Sequence, residues 1–346
     1  MSHDPRSLTS LGWNGALETA FTDATGDGRR GLVVRVDGRV VTVLTDAGQE
    51  RVPLAATLAG VPDDGGITTG DWLVVEGGVA VHLLPRRSVL MRRAAGVATA
   101  GQAVAANIDL VFITVALGVP IRLRRIERAL AMAWSSGAAP VVLLTKSDLS
   151  ADVDADLRGA RSVAAGTEVI AVNESGAGLA HLREILLEGL VTVLVGPSGT
   201  GKSTLVNRLS GNEALATGEV RADGKGRHTT TRRELIELPG GGLIIDTPGT
   251  RELGLWDAGA GIDEVFGDLT EVAAQCRFRN CKHEQEPGCA VRAAAAGDPS
   301  VLARLESKRK LEREQERLDN ARDLRAKAEQ RRELRRRARV MRQRSP

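Results

Sequence analysis

Nine consecutive residues, Gly196-Pro197-Ser198-Gly199-Thr200-Gly201-Lys202-Ser203-Thr204, have the types and spacing of a phosphate-binding loop. Its glycines let backbone N–H groups close around phosphate oxygens. Lys202 can neutralise the terminal phosphate and so is a candidate catalytic group, and the Ser203 hydroxyl can ligate Mg²⁺. Further along, Asp246 of Asp246-Thr247-Pro248-Gly249 can hold a Mg²⁺-bound water, while the Gly249 amide can sense the terminal phosphate and relax when it leaves. A third element, Thr145-Lys146-Ser147-Asp148, ends an apolar run. The Asp148 carboxylate only accepts hydrogen bonds, which suits the paired N–H donors of guanine and not adenine. The usual pattern begins with Asn. Thr145 lacks the amide that would brace the phosphate loop, so guanine preference is expected to survive and affinity to fall. The stretch from Val172 to Gly178 could add backbone contacts to the base. Finally, Cys276, Cys281, His283 and Cys289 supply three thiolates and an imidazole, the ligand set of a closed structural Zn²⁺ site. They use every cysteine in the chain. An odd, clustered set points to metal in a reducing compartment and away from a disulfide framework.

Such groups need rigid elements beneath them. From Asn107 onward, apolar strands at Ile108–Val115, Val141–Thr145, Glu168–Val172 and Thr192–Val195 alternate with helical stretches at Arg122–Ser135, Ala155–Ala164 and Leu179–Leu187. This is the pattern of a doubly wound α/β domain. The phosphate loop then follows a strand and opens a helix, as its chemistry requires. Before this domain, β-branched or alternating runs at Leu32–Val36, Arg39–Thr45, Gln49–Leu54, Trp72–Glu76 and Val79–Leu84 predict a small all-β barrel. It is of the OB type, or equally an SH3-like or protein-binding module. Trp13, Phe21 and Trp72 are its only aromatic faces, so contact with an RNA backbone fits better than base stacking. After Gly261 the chain turns helical around the cysteines. It ends in a long Arg/Glu/Ala-rich helix whose thin apolar stripe (Leu305, Leu311, Leu318, Leu324) suits a partner surface or solvent. The expected division is therefore 1–95, an RNA-binding barrel; 96–258, the nucleotide domain; and 259–346, a zinc-binding α-helical domain with a basic C-terminal helix.

The 346 residues carry 47 Lys+Arg and 44 Asp+Glu, a net charge of +3. Residues 301–346 hold 17 basic against 8 acidic side chains, so a tail of +9 sits on a body of −6. That asymmetry suits a polyanion such as RNA, or else a solvated helix. The longest apolar run is too short to span a bilayer and the N-terminus lacks a hydrophobic signal core, so a cytoplasmic protein without a membrane partner is expected.

Motif order is diagnostic. In Ras-like GTPases the phosphate loop comes first and the base-recognition element near the end; here the element at 145–148 precedes the loop at 196–204. Joining the old termini and opening the domain after Gly249 retains the same sheet in circularly permuted order. This order, the leading barrel and the Cys276–Val291 segment together resemble the RsgA family of small-ribosomal-subunit biogenesis GTPases over nearly the whole chain. The resemblance implies an OB-fold, a permuted GTPase domain and a zinc-binding helical domain. It further implies a monomer that binds GTP and GDP, contacts the small (30S) ribosomal subunit and its rRNA, and hydrolyses GTP under stimulation by that subunit late in maturation. It also implies that His228 orients the attacking water, because Thr250 stands where Gln is usual, and that Thr230 or Thr231 completes the Mg²⁺ shell. Two departures stand out: Thr145, and a C-terminal helix long for the family. A P-loop kinase or ATPase and a zinc-dependent RNA-binding protein are the competing readings. Nucleotide competition and turnover measurements separate them.

Overall fold

The computed structural model describes residues 8–24, 27–58, 65–94, 100–173, 175–187, 189–211, 233–247 and 254–344; in the last helix, side chains are described to residue 332 apart from 329. A short helix α1 (Gly15–Ala24) precedes five strands, β1 (Arg29–Asp37), β2 (Val40–Thr45), β3 (Gly48–Pro53), β4 (Trp72–Glu76) and β5 (Val79–Leu83), in the order β3-β2-β1-β4-β5. Leu54 bridges Ala80 in parallel, and the Ala55 amide donates to the Ala80 carbonyl at 2.9 Å. The end of β3 thus meets β5 and closes a five-stranded barrel of the OB type. Side-chain alternation between two cores explains the unbroken apolar runs Leu32–Val34 in β1 and Trp72–Val75 in β4. Val33, Leu73 and Val75 point into the barrel, whereas Leu32, Trp72 and Val74 join the main core outside it. Trp13 packs edge-on against Trp72 (centroids 4.7 Å) and Phe21 (6.0 Å), so these aromatic faces serve the core.

A hairpin of β6 (Val89–Arg93) and β7 (Gly101–Ala106), which spans the expected 95/96 boundary, leads into β8 (Leu110–Ala116), α2 (Leu123–Ser135), β9 (Ala139–Thr145), α3 (Val153–Arg161), β10 (Glu168–Ala171), α4 (Leu179–Ile185), β11 (Val191–Val195), α5 (Lys202–Ser210), β12 (Glu234–Glu237) and β13 (Leu243–Asp246). The sheet order is β10-β9-β8-β11-β13-β12, parallel except for the edge strand β12. Helices cover both faces, which is why the strands read as continuous apolar runs. Val111, Ile113, Val193 and Ile245 face the α2 side, and Phe112, Leu143, Leu194 and Ile244 pack with α4 and α5 residues such as Leu182 and Val206.

Four helices follow: α6 (Gly259–Val265), α7 (Gly267–Ala274), α8 (Ala290–Gly297) and the 45-residue α9 (Ser300–Arg344). They do not form a detached body. A Cβ on Gly261 would strike the Ala131 carbonyl, so α6 crosses α2 at close range, and the Gly261 amide donates to Ser135 Oγ at 2.8 Å. The first half of α9 docks on α2 as well. Arg128 grips Glu314 with two bonds of 2.7 and 2.8 Å, and Arg124 pairs with Glu306 at 2.6 Å. Buried Glu127 faces buried Arg304, which also pairs with Asp268 on α7. Leu305, Leu311 and Leu318 are buried, but Leu324 is 69% exposed. The thin stripe therefore finds its partner within the chain from Leu305 to Leu318, and at Leu324 it is exposed.

Candidate nucleotide site and metal centre

Parallel strands carry all their C-terminal ends to one edge of the sheet, where doubly wound folds bind ligands. The base-recognition element leaves β9, the phosphate loop leaves β11 and Asp246 ends β13, so three separated motifs meet at that edge. The phosphate loop is shaped by its contact with β8. Gly196 has φ 149°, and a Cβ there would collide with the Thr114 hydroxyl and carbonyl. Thr114 Oγ1 donates to the Val195 carbonyl at 3.0 Å and lies 2.7 Å from Thr200 Oγ1, so two hydroxyls tie the loop to the neighbouring strand. Pro197, Ser198 and Gly199 are exposed, whereas Thr200 and Lys202 are buried and Ser203 and Thr204 half-buried at the start of α5.

The expectation that Thr145 leaves the loop unbraced is not met. Thr145 is buried, and its hydroxyl donates to the Thr200 carbonyl at 2.7 Å. A hydroxyl on a β-branched residue thus reaches the loop backbone from the end of β9, so loss of the amide is not loss of the contact. Lys146 then takes a left-handed conformation (φ 56°), which turns the chain into a 3₁₀ turn over Ser147–Leu149. Ser147 is buried with its amide on the Val172 carbonyl at 3.2 Å, and the Asp148 side chain is exposed at the rim. The adjoining loop is held by Asn173, whose Oδ1 accepts from the Ala177 amide at 3.0 Å.

Charge in this cleft is under strain. The Lys202 ammonium donates to the Gly196 and Pro197 carbonyls at 2.8 and 2.7 Å, and burial lowers its pKa to about 8 despite nearby Asp246. Burial likewise raises Asp246 to about 6; Lys202 opposes the shift and Glu234 adds to it. Asp246 Oδ2 is buried without a hydrogen-bond partner among the described residues. A carboxylate desolvated in this way fits a hydrated divalent cation, which Ser203 and Asp246 could hold between them. His228, Thr230, Thr231, Gly249 and Thr250 lie outside the described residues. Where the chain resumes, the Gly254 carbonyl accepts from the Arg93 amide at 3.3 Å and Leu255 is buried. Trp256 sits against Gly101 of β7, with the Arg322 guanidinium of α9 4.7 Å from its ring. Residues 254 to 256 are thereby clasped between the hairpin and the C-terminal helix. Sequence reasoning missed this contact, which joins residues from three distant stretches.

The second centre is local. Donor atoms of Cys276, Cys281, His283 and Cys289 all lie within 4.8 Å of one another. His283 Nδ1 is 3.6 Å from Cys276 Sγ and 3.5 Å from Cys289 Sγ, and those two sulfurs are 4.0 Å apart. A Zn²⁺ tetrahedron with Zn–S near 2.3 Å and Zn–N near 2.05 Å has edges of about 3.8 Å (S–S) and 3.6 Å (S–N). Cys276, His283 and Cys289 therefore stand at the spacing of zinc ligands, and Cys281 lies within 4.8 Å of them as the fourth donor. Local backbone explains the fit. Burial would raise the Cys276 thiol, but backbone N–H groups of Val291 and Ala290 at the start of α8 outweigh it and favour thiolate. The Arg292 amide reaches Cys289 Sγ at 3.4 Å. Burial, aided by Arg309, lowers His283 and keeps its imidazole neutral for ligation. The backbone amides of Lys282, Glu286 itself, Glu284 and Gln285 converge on the Glu286 carboxylate, led by Lys282, and lower its pKa to about 2.

A family model described as RsgA GTPase matches residues 83–256. The chain is 45% identical to the Small ribosomal subunit biogenesis GTPase RsgA of Streptomyces coelicolor, over 98% of this chain and 95% of that protein. It is 42% identical to the protein of the same name from Streptomyces avermitilis, over 97% and 93% respectively. Among solved structures it is similar to YjeQ from Thermotoga maritima, with TM-score 0.59 and 26% identity over 82% of this chain and 97% of that one. It also shares the fold of YloQ, a circularly permuted GTPase, with TM-score 0.56 and 22% identity over 86% and 97%.

Proposed function

Since the chain belongs to the RsgA GTPase family and is a GTP hydrolase of circularly permuted fold, we propose that it serves small ribosomal subunit biogenesis, binding the 30S subunit and hydrolysing GTP to GDP and phosphate under its stimulation late in maturation. The observation that carries this reading is the meeting of Thr145–Asp148, Gly196–Thr204 and Asp246 at one sheet edge, with Trp256 lodged between β7 and the C-terminal helix.

In this reading Asp148 accepts the N–H donors of guanine, and loop amides between Gly196 and Thr204 take up the phosphates. Lys202 leaves its two carbonyls for the terminal phosphate, whose charge restores the ammonium that burial disfavours. Ser203, Thr230 and Asp246, the last through water, would hold Mg²⁺, which would supply charge neutralisation at the phosphates. His228 orients the attacking water, and the Gly249 amide reports loss of the phosphate. That report leaves the nucleotide site through Gly254 and Trp256, which touch Arg93 and Gly101 of the β6–β7 hairpin, and on to Arg322. The barrel (1–95) and the basic end of α9 meet rRNA through phosphates, the domain at 96–258 hydrolyses GTP, and the zinc-bound segment within 259–346 presents a rigid surface to the subunit. We place the protein in the cytoplasm as a monomer; among the described residues no helix is long and apolar enough to cross a membrane. Co-sedimentation with isolated small subunits tests the proposal: binding is expected with a non-hydrolysable GTP analogue and weaker binding with GDP. Absence of binding in both states refutes it.

A further inference from the structure

The chain has four Trp, four Phe and no Tyr. Seven of these eight aromatic rings are buried or partly buried, and Phe278 alone is exposed, at 41%. It lies between the ligands Cys276 and Cys281, in a loop held from several sides. The Cys276 amide donates to Ala273, that of Arg277 to Gly288 at 3.1 Å, and that of Cys281 to the Phe278 carbonyl itself at 3.2 Å. Metal ligation adds further rigidity, so the ring is presented at little conformational cost. The Arg277 guanidinium lies over the ring at 5.5 Å, and the residue stays exposed beside it. Arg277, Arg279 and Lys282 are all exposed, and none forms an ion pair among the described residues. The nearby Glu286 carboxylate is taken up by three backbone amides.

An exposed apolar ring in a loop that also exposes three cations does not match a protein's apolar groove, which would have to desolvate those charges. It does match a nucleotide, which has a π-face for the ring and phosphates for the cations. Bases within a duplex offer no free face, so the occupant is unpaired. We propose that Phe278 is a stacking platform for one unpaired RNA base, with the flanking phosphates on Arg277, Arg279 and Lys282. This deepens the ribosomal reading and rests on it for the identity of the RNA.

The test uses full-length, zinc-loaded protein and two probes, a single-stranded oligoadenylate of about ten nucleotides and an RNA duplex of similar charge. Phe278→Ala should weaken oligoadenylate binding roughly 5- to 150-fold, with duplex affinity and zinc content unchanged, and Phe278→Trp should restore it. Arg279→Gln should lower the salt dependence of oligoadenylate binding by about 0.7 in slope, as loss of one phosphate contact on a single strand does. Equal loss on both probes, or no loss on either, overturns the stacking site. So does a Phe278→Ala protein that loses subunit binding while keeping every RNA affinity, because the ring would then sit on a ribosomal protein. Wild-type protein that fails to co-sediment with subunits refutes the ribosomal reading instead. Wild-type co-sedimentation alongside unchanged RNA binding by Phe278→Ala refutes the stacking site alone.

Discussion

Replacing Thr145 with Val keeps the β-branched shape at the end of β9 and removes one hydroxyl. That hydroxyl makes a 2.7 Å bond to the Thr200 carbonyl inside the protein, where water cannot substitute for it. Removing one partner of a buried hydrogen bond costs about 1–3 kcal/mol, because the other group stays desolvated. The carbonyl belongs to the phosphate loop, so the loop itself relieves that cost by shifting, and bound nucleotide must then restore its position. The expected result is GTP-analogue affinity weakened by roughly 5- to 150-fold in Thr145→Val. Thr145→Ser, which keeps the donor, should stay near wild type. Thr145→Asn places an amide at the same strand end and should also bind well. Titration of the purified variants with a fluorescent, non-hydrolysable GTP analogue reads all three. Wild-type affinity in Thr145→Val would refute the claim that this hydroxyl braces the loop.

Lys202→Ala should abolish most GTP turnover, since no other side chain of the loop brings positive charge to the phosphates; near-wild-type turnover in a single-cycle assay contradicts this. Because burial raises Asp246 to about 6, the folded protein holds this proton more tightly than the unfolded chain. The carboxyl therefore favours the fold at acid pH and loses that contribution as pH rises through about 6. Mg²⁺ needs the ionised form, so Mg²⁺-supported nucleotide binding should weaken as pH falls through the same range; a flat profile from neutrality to pH 5, about one unit below that value, removes Asp246 from the cation site. Asp148→Asn should trade guanine for xanthine recognition, read by competition between GTP and XTP. Cys289→Ser should lose zinc by elemental analysis yet retain GTP-analogue binding, because α2 and α9 stay joined through Arg128–Glu314 and buried Leu311 and Leu318, away from the metal loop. Loss of nucleotide binding along with zinc would show that the two centres fold as one.

The readable parts of this protein were those whose chemistry is contiguous. Gly196–Thr204 and Cys276–Cys289 carry their ligands within one loop, so spacing alone indicates what they bind. The strands were legible because burial on both faces leaves unbroken apolar runs, as at Val141–Thr145. Illegible features depend on residues far apart in the chain. The Thr145 hydroxyl meets the Thr200 carbonyl only because β9 and β11 flank β8. Trp256 acquires its role only between Gly101 and Arg322. The thin stripe on α9 suited a partner surface or solvent, and nothing in its spacing showed that the partner lies within the chain. Its polar neighbours Arg304 and Gln315 do part of the packing, Arg304 against Glu127 and Asp268 and Gln315 by accepting from the Ala258 amide at 2.9 Å. Exposure of Phe278 also has no sequence signature, since an aromatic beside a ligand cysteine packs inward as readily as outward.

The measurement closest to the central claim is GTP turnover by the full-length, zinc-loaded protein with and without isolated small ribosomal subunits. Slow hydrolysis is expected from the protein alone, with an increase of at least about tenfold on adding subunits, modest beside what completing a GTPase site in trans can supply. The same subunits should leave turnover by Lys202→Ala near background. Turnover that is identical with and without subunits would contradict the account.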